Sequence, residues 1–402
     1  MSKNEKPNQN QNKNKNKKKN RNTKKTNNNN DVNRVDRILL ITDTHGHLSL
    51  INELIEKHQC DYVLHAGDFG LYDDVHSPNE LEERECFLHL IHDHSVPKEI
   101  LKNIRNKSIT GNELRKLCAE KYPFSDLPDY ISGKKRFLKP VYFVPGNHED
   151  CSVFRKIKNG EINIENLFLL DENHSYKVGK HFRVFGLGGN LIEQLLFKTF
   201  EERAPLNSGK YTMGFDEIGH LINLSDSLRE QDPQEKNLNR IFISHVSPGL
   251  EPLMRYCAHY LKVNFAISGH MEHRCIETWT EFSTSEPKGS TYKPSTEVCE
   301  RIKKLVPEKG LTKKMIHGID KAFKIFDEWP IQRICPFFNT NFINLPDAID
   351  GHAVLISGPK GISFETYTSP RKFPRILRVK PPKKKNNNKS QNTEQNKNKK
   401  QN

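Results

Sequence analysis

Short apolar runs, each followed at once by small or polar residues, recur along the middle of the chain. Runs bounded in this way are typical of buried strands. The clearest are residues 37–42, 62–66, 141–144, 241–244 and 265–268. Between the first two runs, apolar residues recur at helical spacing as Leu50, Ile51, Leu54 and Ile55. The pattern therefore predicts a strand–helix–strand unit, and with it a parallel sheet covered by helices.

Weaker apolar patterns predict further strands. They are expected at residues 167–170, 182–186, 275–282 and 342–346. Residues 353–357 and 362–367 predict a closing hairpin, because a Gly358-Pro-Lys-Gly361 turn joins them. Residues 191–237 are charged and predict mostly helix.

Two segments interrupt the alternation of strands and helices. Residues 76–137 contain helical patterns at 80–92 and 111–121, joined by Pro-rich connections. Residues 283–332 are polar, with a helical pattern at 315–326. We interpret both segments as insertions into one domain that spans residues 36–370, and we expect the first insertion to lie over the functional face.

Composition changes abruptly outside this domain. Residues 1–30 and 380–402 are Lys/Asn-rich and nearly lack large apolar side chains, so the tails at 1–35 and 380–402 are predicted to be disordered. The two Lys/Asn-rich segments carry charges of +9 and +7, whereas the whole chain carries +14, which leaves −2 for residues 31–379. Basic tails attract nucleic acid. The low-complexity composition nevertheless favours a solvating extension over a nucleic-acid partner.

Cysteine usage and hydropathy bear on the compartment. The eight cysteines are scattered without a CxxC pair, which favours reduced thiols in an intracellular protein. No apolar stretch approaches the roughly 20 residues of a membrane span, and the N-terminus lacks the apolar core of a signal peptide. We therefore expect an intracellular protein, cytoplasmic or nuclear, without membrane insertion.

Polar residues with metal-ligand chemistry follow five of the predicted strands. They are Asp43 with His45, Asp68, Asn147, His245 and His270. In open α/β sheets ligands bind beyond the carboxyl ends of the strands, so these side chains are expected to converge. Carboxylate, imidazole and amide-oxygen ligands suit divalent ions such as Mn, Fe or Zn. A purely structural account is weaker, because unpaired polar groups at the ends of buried strands are costly.

The order of these residues resembles the signature of the calcineurin-like metallophosphoesterases. In this chain the signature reads Asp43-Thr44-His45, Gly67-Asp68, Gly146-Asn147-His148-Glu149, His245 and Gly269-His270. The resemblance covers residues 36–275, with a closing hairpin to residue 368. It implies an α/β fold, a four-layer α/β/β/α sandwich of two mixed β-sheets flanked by helices, with two metal ions at one edge.

The resemblance also implies which residues bind the metal ions. Asp43 and His45 would bind the first ion, and Asp68 would bridge the two ions. The second ion would be bound by Asn147, His245 and His270.

His148 would be the catalytic residue, because it would face the substrate and either protonate the leaving oxygen or stabilise the transition state. Glu149 would support His148 or the loop behind it. The closing motif departs from the family pattern, G-H-x-H. Glu272 stands where the second His is expected, and His273 follows one residue late. Glu272 could ligate the first ion as a carboxylate, a bulged loop could bring in His273, or water could take the place.

The activity implied by the resemblance is hydrolysis of a phosphoric ester bond by a metal-activated hydroxide. The cofactors would be two divalent ions, of Mn, Fe or Zn. The motifs leave the substrate open among a phosphomonoester, a phosphodiester and a phosphoprotein, and they leave the oligomeric state open.

Two alternative functions come from other classes. A catalytically weak or inactive scaffold with the same fold is favoured by the altered closing motif and opposed by the retained ligands. A nucleic-acid phosphodiesterase would use the basic tails for recruitment, but the tails lack aromatic side chains on which bases could stack.

Overall fold

The computed structural model describes residues 35–73, 83–92, 96–206, 210–248, 251–271, 276–280, 303–304, 306, 311, 313–328 and 340–369. The predicted tails lie outside the described residues, apart from Val35, and so does most of the predicted insertion at 283–332. Glu272 and His273 also lie outside them.

Twelve strands in the described part of the chain form two six-stranded sheets. The first sheet comprises β1 (Asp36–Ile41), β2 (Tyr62–His65), β3 (Val141–Phe143), β4 (Leu167–Leu169), β11 (Gly351–Gly358) and β12 (Gly361–Thr368). Its order is β12-β11-β1-β2-β3-β4. The strands β1 to β4 are parallel, whereas β11 and β12 form the expected antiparallel hairpin.

The second sheet is also mixed. It comprises β5 (Tyr176–Val178), β6 (Phe182–Leu187), β7 (Asn239–Ser244), β8 (Phe265–Met271), β9 (Glu277–Thr280) and β10 (Asn341–Pro346). Its order is β5-β6-β7-β8-β10-β9, with four parallel central strands and an antiparallel strand at each edge.

Helices cover the outer faces of the sheets. The helices are α1 (Ser49–His58), α2 (Glu83–His92), α3 (Lys98–Arg105), α4 (Gly111–Glu120), α5 (Leu127–Ile131), α6 (Cys151–Lys158), α7 (Phe200–Leu206), α8 (Phe215–Gln231), α9 (Pro252–Tyr260) and α10 (Lys313–Glu328). Short 3-10 turns span Glu193–Leu195 and Pro233–Asn237. Among the described residues, no helix combines the length and the hydropathy needed to cross a membrane.

Alternating side chains of the central strands enter different cores. In β1, Ile38 and Leu40 pack between the two sheets, against residues such as Ile243 and Ile267. Leu39 and its neighbours on the other face of β1 pack beneath α1 and α6. A third core lies between the second sheet and the helices α8, α9 and α10. Sheets buried on both faces explain the near-continuous apolar runs of the sequence, and the predicted four-layer sandwich is confirmed.

The segment between β2 and β3 forms a small helical unit with its own core. The expected helical patterns at 80–92 and 111–121 correspond to α2 and α4, whereas α3 was missed by the sequence patterns. Cys86 and Leu90 from α2 pack on Cys118 from α4, and Tyr72 and Phe124 extend this core toward the sheet edge.

Two buried histidines contact each other where α1 packs on the closing hairpin. The Nε2 atoms of His58 and His352 are 2.9 Å apart, and the ring of Tyr367 lies against both imidazoles. Burial, and then the neighbouring His58, lower the pKa of His352 from 6.5 to about 4. Burial also lowers the pKa of His58, together with the charges of Lys57 and Arg37. Both rings are therefore neutral in the folded protein at neutral pH.

This pair predicts a pH-dependent stability. Between pH 6.5 and about 4 the unfolded chain binds more protons at His352 than the folded chain. The contribution of the neutral His352 ring to the free energy of unfolding is therefore complete above pH 6.5, and it is lost as the pH falls through that window. We expect the thermal midpoint of His352→Gln to decrease less over this range than that of the wild type. His181→Gln, at an exposed histidine, is the matched control, and equal slopes for His352→Gln and the wild type would contradict the prediction.

Candidate metal centre

The carboxyl ends of parallel strands from both sheets meet at one edge of the sandwich. Backbone hydrogen bonds join the loops that leave β1 and β2, because the N–H groups of Asp43 and His45 donate to the carbonyl oxygens of Gly67 and Asp68 at 2.8 and 2.9 Å. In the second sheet, the N–H of Gly269 donates to the carbonyl oxygen of His245 at 3.1 Å. These bonds fix the strand exits that carry the predicted ligands.

Four of the predicted ligands have left-handed backbones. The φ angles of Asp43, His45, Asp68 and His270 lie between 46° and 54°. They are half of the eight non-glycine residues with positive φ in the described part of the chain. This conformation costs roughly 1–3 kcal/mol per residue and is characteristic of functional sites. The fold therefore maintains local strain at this edge of the sandwich.

Asp68 is the central residue of the site, and its side chain is almost fully buried. Its Oδ2 lies 3.9 Å from Nε2 of His45, and its Oδ1 lies 3.4 Å from Nε2 of His245. The N–H of His148 donates to Oδ1 at 2.8 Å. The two carboxylate oxygens thus face imidazoles from different sheets, which is the arrangement that a bridging ligand needs.

One candidate ligand group lies on the side of the second sheet. Asp68, His245 and His270 each offer a ligand atom, and these atoms lie within 4.8 Å of one another. The Oδ1 of Asn147 adjoins this group at 2.8 Å from Nε2 of His245. The structure therefore brings together all of the residues predicted for the second ion.

The protonation of His245 supports a cation at this position. Its Nδ1 lies 3.0 Å from the carbonyl oxygen of Ala66, which can only accept, so Nδ1 carries the proton. Burial, opposed by Asp68, lowers the pKa of His245, which favours the neutral ring. The Nε2 lone pair then faces the side-chain amide of Asn147. A ring N–H bonded to a carbonyl is the usual support of a metal-binding His, and it leaves Nε2 available as a ligand atom.

The other candidate ligand group lies on the side of the first sheet. It contains Asp43 and His45, as predicted, and also Asp347, with ligand atoms within 4.8 Å of one another. Oδ2 of Asp43 accepts from the Thr42 hydroxyl at 2.6 Å and from the His270 N–H at 3.2 Å. Its Oδ1 lies 4.0 Å from Nε2 of His45.

Sequence reasoning missed Asp347, although a signal was present. It follows the predicted strand 342–346 directly, as the other candidate ligands follow theirs.

The clustered carboxylates perturb one another. Burial, and then the charges of Asp68 and Asp347, hold the pKa of Asp43 well above its usual range. Burial opposes ionisation of Asp68 as well, but His245, His45 and His148 hold its pKa below its usual range. Neighbouring buried carboxylates ionise together only when a positive charge offsets their repulsion. The donor set of this site therefore fits divalent metal ions.

Glu149 ties the loop after β3 to the loop after β2. Its Oε1 accepts from the N–H groups of Phe69 and Gly146 at 2.8 and 2.9 Å. Its Oε2 accepts from those of Gly70 and Leu71 at 3.0 and 2.7 Å. Burial, and then Asp68, raise the pKa of Glu149 to about 7, against these hydrogen bonds. Glu149 thus lies behind the site and organises its backbone.

His148 lies at the mouth of the site and is only partly buried. Its ring centre is 5.8 Å from that of His45, and its carbonyl oxygen accepts from the Tyr72 hydroxyl at 2.8 Å. Since Tyr72 belongs to the core of the α2–α4 unit, this bond connects that unit to the loop that carries His148.

A glycine precedes Asn147 for a steric reason. A Cβ at Gly146 would lie 1.9 Å from Oδ1 of Asp68, so a side chain there would displace the central carboxylate.

His65, inside β2, serves a structural purpose. Its Nε2 lies 3.0 Å from the Thr44 hydroxyl, and its Nδ1 accepts from the N–H of Gly67 at 3.3 Å. Burial, and then His245, lower its pKa to about 3, so the ring is neutral.

Comparison with known proteins identifies one family. The family model described as calcineurin-like phosphoesterase matches residues 36–273. A search of curated proteins finds no match. One crystal structure aligns with 83% of this chain and 99% of its own chain, at 14% identity and a TM-score of 0.39. A second is a conserved uncharacterized protein from Streptococcus pneumoniae, a predicted phosphoesterase. It aligns over 83% of this chain and 90% of its own, at 10% identity and a TM-score of 0.26.

Proposed function

The chain belongs to the calcineurin-like phosphoesterase family, and from this premise we propose that it is a metal-dependent hydrolase of phosphoric esters. The observation that carries the proposal is the position of Asp68, whose two oxygens face His45 and His245 from opposite sides. A binding scaffold has no need of a strained, buried carboxylate between two ligand groups.

The ligands divide into two sets around Asp68. We assign Asp43 and His45 to a first ion and Asp68 to both ions. The second ion is assigned to Asn147, His245 and His270. When bound, a pair of divalent ions (Mn, Fe or Zn) supplies Lewis-acid stabilisation of phosphoryl oxygens and lowers the pKa of a water.

His148 is proposed as the general acid of the reaction. A hydroxide derived from water forms the new bond to phosphorus as the ester P–O bond breaks, and a ring nitrogen of His148 donates a proton to the leaving oxygen, which departs as an alcohol. The backbone on either side of this ring is held, because the His148 N–H donates to Asp68 and the carbonyl oxygen accepts from Tyr72. Preorganisation of this kind reduces the entropy lost in reaching the transition state.

The unit formed by α2 to α5 is proposed to select the substrate. It is linked to the mouth of the site through Tyr72 and through Asp126, whose N–H donates to the carbonyl oxygen of Gly46 at 2.9 Å. Specificity in a shared fold lies in such peripheral segments. The relative rates on a panel of phosphomonoesters, phosphodiesters and phosphopeptides would therefore report on this unit and not on the metal ligands.

Replacement of the central carboxylate tests the activity. With Mn²⁺ added, the wild type is expected to hydrolyse a chromogenic phosphoester, and Asp68→Asn is expected to lose about 100-fold or more of kcat/KM. We expect this loss because mutation even of residues that only support the metal ligands lowers metal affinity or activity by about 10–100-fold. Asp320→Asn, at an exposed position on α10, is the matched control. A wild type without turnover on any tested ester and metal, or an unimpaired Asp68→Asn, would contradict the proposal.

The general-acid role of His148 predicts a dependence on the leaving group. A poor leaving group needs protonation in the transition state, whereas a good one departs as an anion. We expect His148→Ala to reduce kcat for phenyl phosphate by about 100- to 10,000-fold, the usual value of general acid catalysis. For 2,4-dinitrophenyl phosphate the reduction should be far smaller. Equal losses for both esters would mean that His148 does not protonate the leaving oxygen.

A further inference from the structure

In this chain the family signature supplies the first ion with one side-chain ligand fewer than the family pattern expects. Asp43, His45 and Asp68 provide three side chains, and the sequence has no His at position 272, where the family pattern expects one. We propose that Asp347 binds the first ion in place of that histidine. The proposal rests on the proposed function, because it adds a ligand to the same metal centre.

The position of Asp347 supports this assignment. Its carboxylate lies within 4.8 Å of the ligand atoms of both Asp43 and His45. The side chain is partly buried at the edge of the site, whereas Asp43 is buried beneath it. A divalent ion bound by Asp43 and His45 would therefore lie within reach of Asp347.

Sheet register explains how Asp347 takes this place. The strands β8 and β10 are parallel neighbours, and Pro346 is the register partner of Met271. Asp347 therefore leaves the second sheet one residue beyond that pairing, beside the exit of β8. The Gly269-His270 motif lies at the end of β8. Asp347, which follows the neighbouring strand β10, therefore reaches the metal centre from the strand end next to that motif.

Hydrogen bonds hold this strand end in position. The side-chain oxygen of Asn344 accepts from the hydroxyls of Ser247 and Ser268 at 2.8 and 2.5 Å, which ties β10 to β8 and to the loop after β7. The carbonyl oxygen of Asp347 accepts from the N–H groups of Asp350 and Gly351 at 2.8 and 3.1 Å. A ligand needs such a fixed backbone, since a mobile one would lose entropy on binding the ion.

The chemistry of the resulting set differs between the two ions. The first ion would have three carboxylates and one imidazole, whereas the second would have one carboxylate, one amide oxygen and two imidazoles. Carboxylate oxygens suit Mn²⁺ and Mg²⁺, and imidazole suits Zn²⁺. A carboxylate in place of an imidazole therefore shifts the metal preference of the first site toward Mn²⁺.

Calorimetric titration of the metal-free, full-length protein with Mn²⁺ tests the assignment. We expect two ions per wild-type chain. In Asp347→Asn, one of the two affinities should fall by about 10- to 100-fold or more, as for other perturbations of metal shells. Asp350→Asn, in the same turn, is the matched control and should bind two ions as the wild type does.

Thermal unfolding separates a ligand from a structural residue. Metal-free Asp347→Asn should unfold at the wild-type midpoint or above it, because the variant removes a carboxylate from the neighbourhood of Asp43. With Mn²⁺ its midpoint should rise less than that of the wild type, since weaker binding stabilises less. A lower midpoint without metal, together with an unchanged response to Mn²⁺, would assign a structural role and overturn the proposal.

A second variant and the stoichiometry separate the remaining outcomes. Asp347→His should retain two ions and gain affinity for Zn²⁺ relative to Mn²⁺. Two ions bound with equal affinity by the wild type and Asp347→Asn would overturn the assignment of Asp347 alone. A wild type that binds no Mn²⁺ would overturn the proposed function, and this proposal with it.

Discussion

The carboxylate of Asp68 connects the two sheets of the sandwich at their common edge. One oxygen faces His45 from the first sheet at 3.9 Å, and the other faces His245 from the second at 3.4 Å. Burial of an ionised carboxylate costs several kcal/mol unless charges and hydrogen bonds compensate it. The N–H of His148 provides one such bond at 2.8 Å. The positions of the surrounding loops follow from the need to surround this one group with partners.

The fold maintains strain in order to hold that arrangement. Asp43, His45, Asp68 and His270 have left-handed backbones, and such residues persist only where the surrounding structure determines them. Here the strained loops are held by the carboxylate of Glu149, which accepts from four N–H groups, and by the close approach of Gly146 to Asp68. The three apolar cores on either side of the sheets provide the stability that offsets this strain.

Much of this could be predicted because it depends on local pattern. Strands buried on both faces give apolar runs, and a candidate ligand follows the run, so Asp43, Asp68 and His245 were predicted from single strand ends. The helix α3 and the edge strand β5 were missed, since each is short and half-exposed. The short helices α5, α6 and α9 were not predicted either. Asp347 was missed for another reason. Asp347 directly follows a predicted strand, as the other candidate ligands do, but its place beside Asp43 and His45 depends on the pairing of β10 with β8, a contact between distant segments that the sequence pattern does not report. The expectations for the tails, for Glu272 and for His273 stay predictions.

In the proposed metal centre, Asp68 joins two metal ions held by residues of both sheets. Anomalous diffraction at the Mn edge, from crystals of the Mn²⁺-loaded protein, tests it most directly. We expect two anomalous peaks, about 3.5–4 Å apart as in other two-metal sites, with the carboxylate of Asp68 between them. A single peak, or two peaks of which only one contacts Asp68, would contradict it.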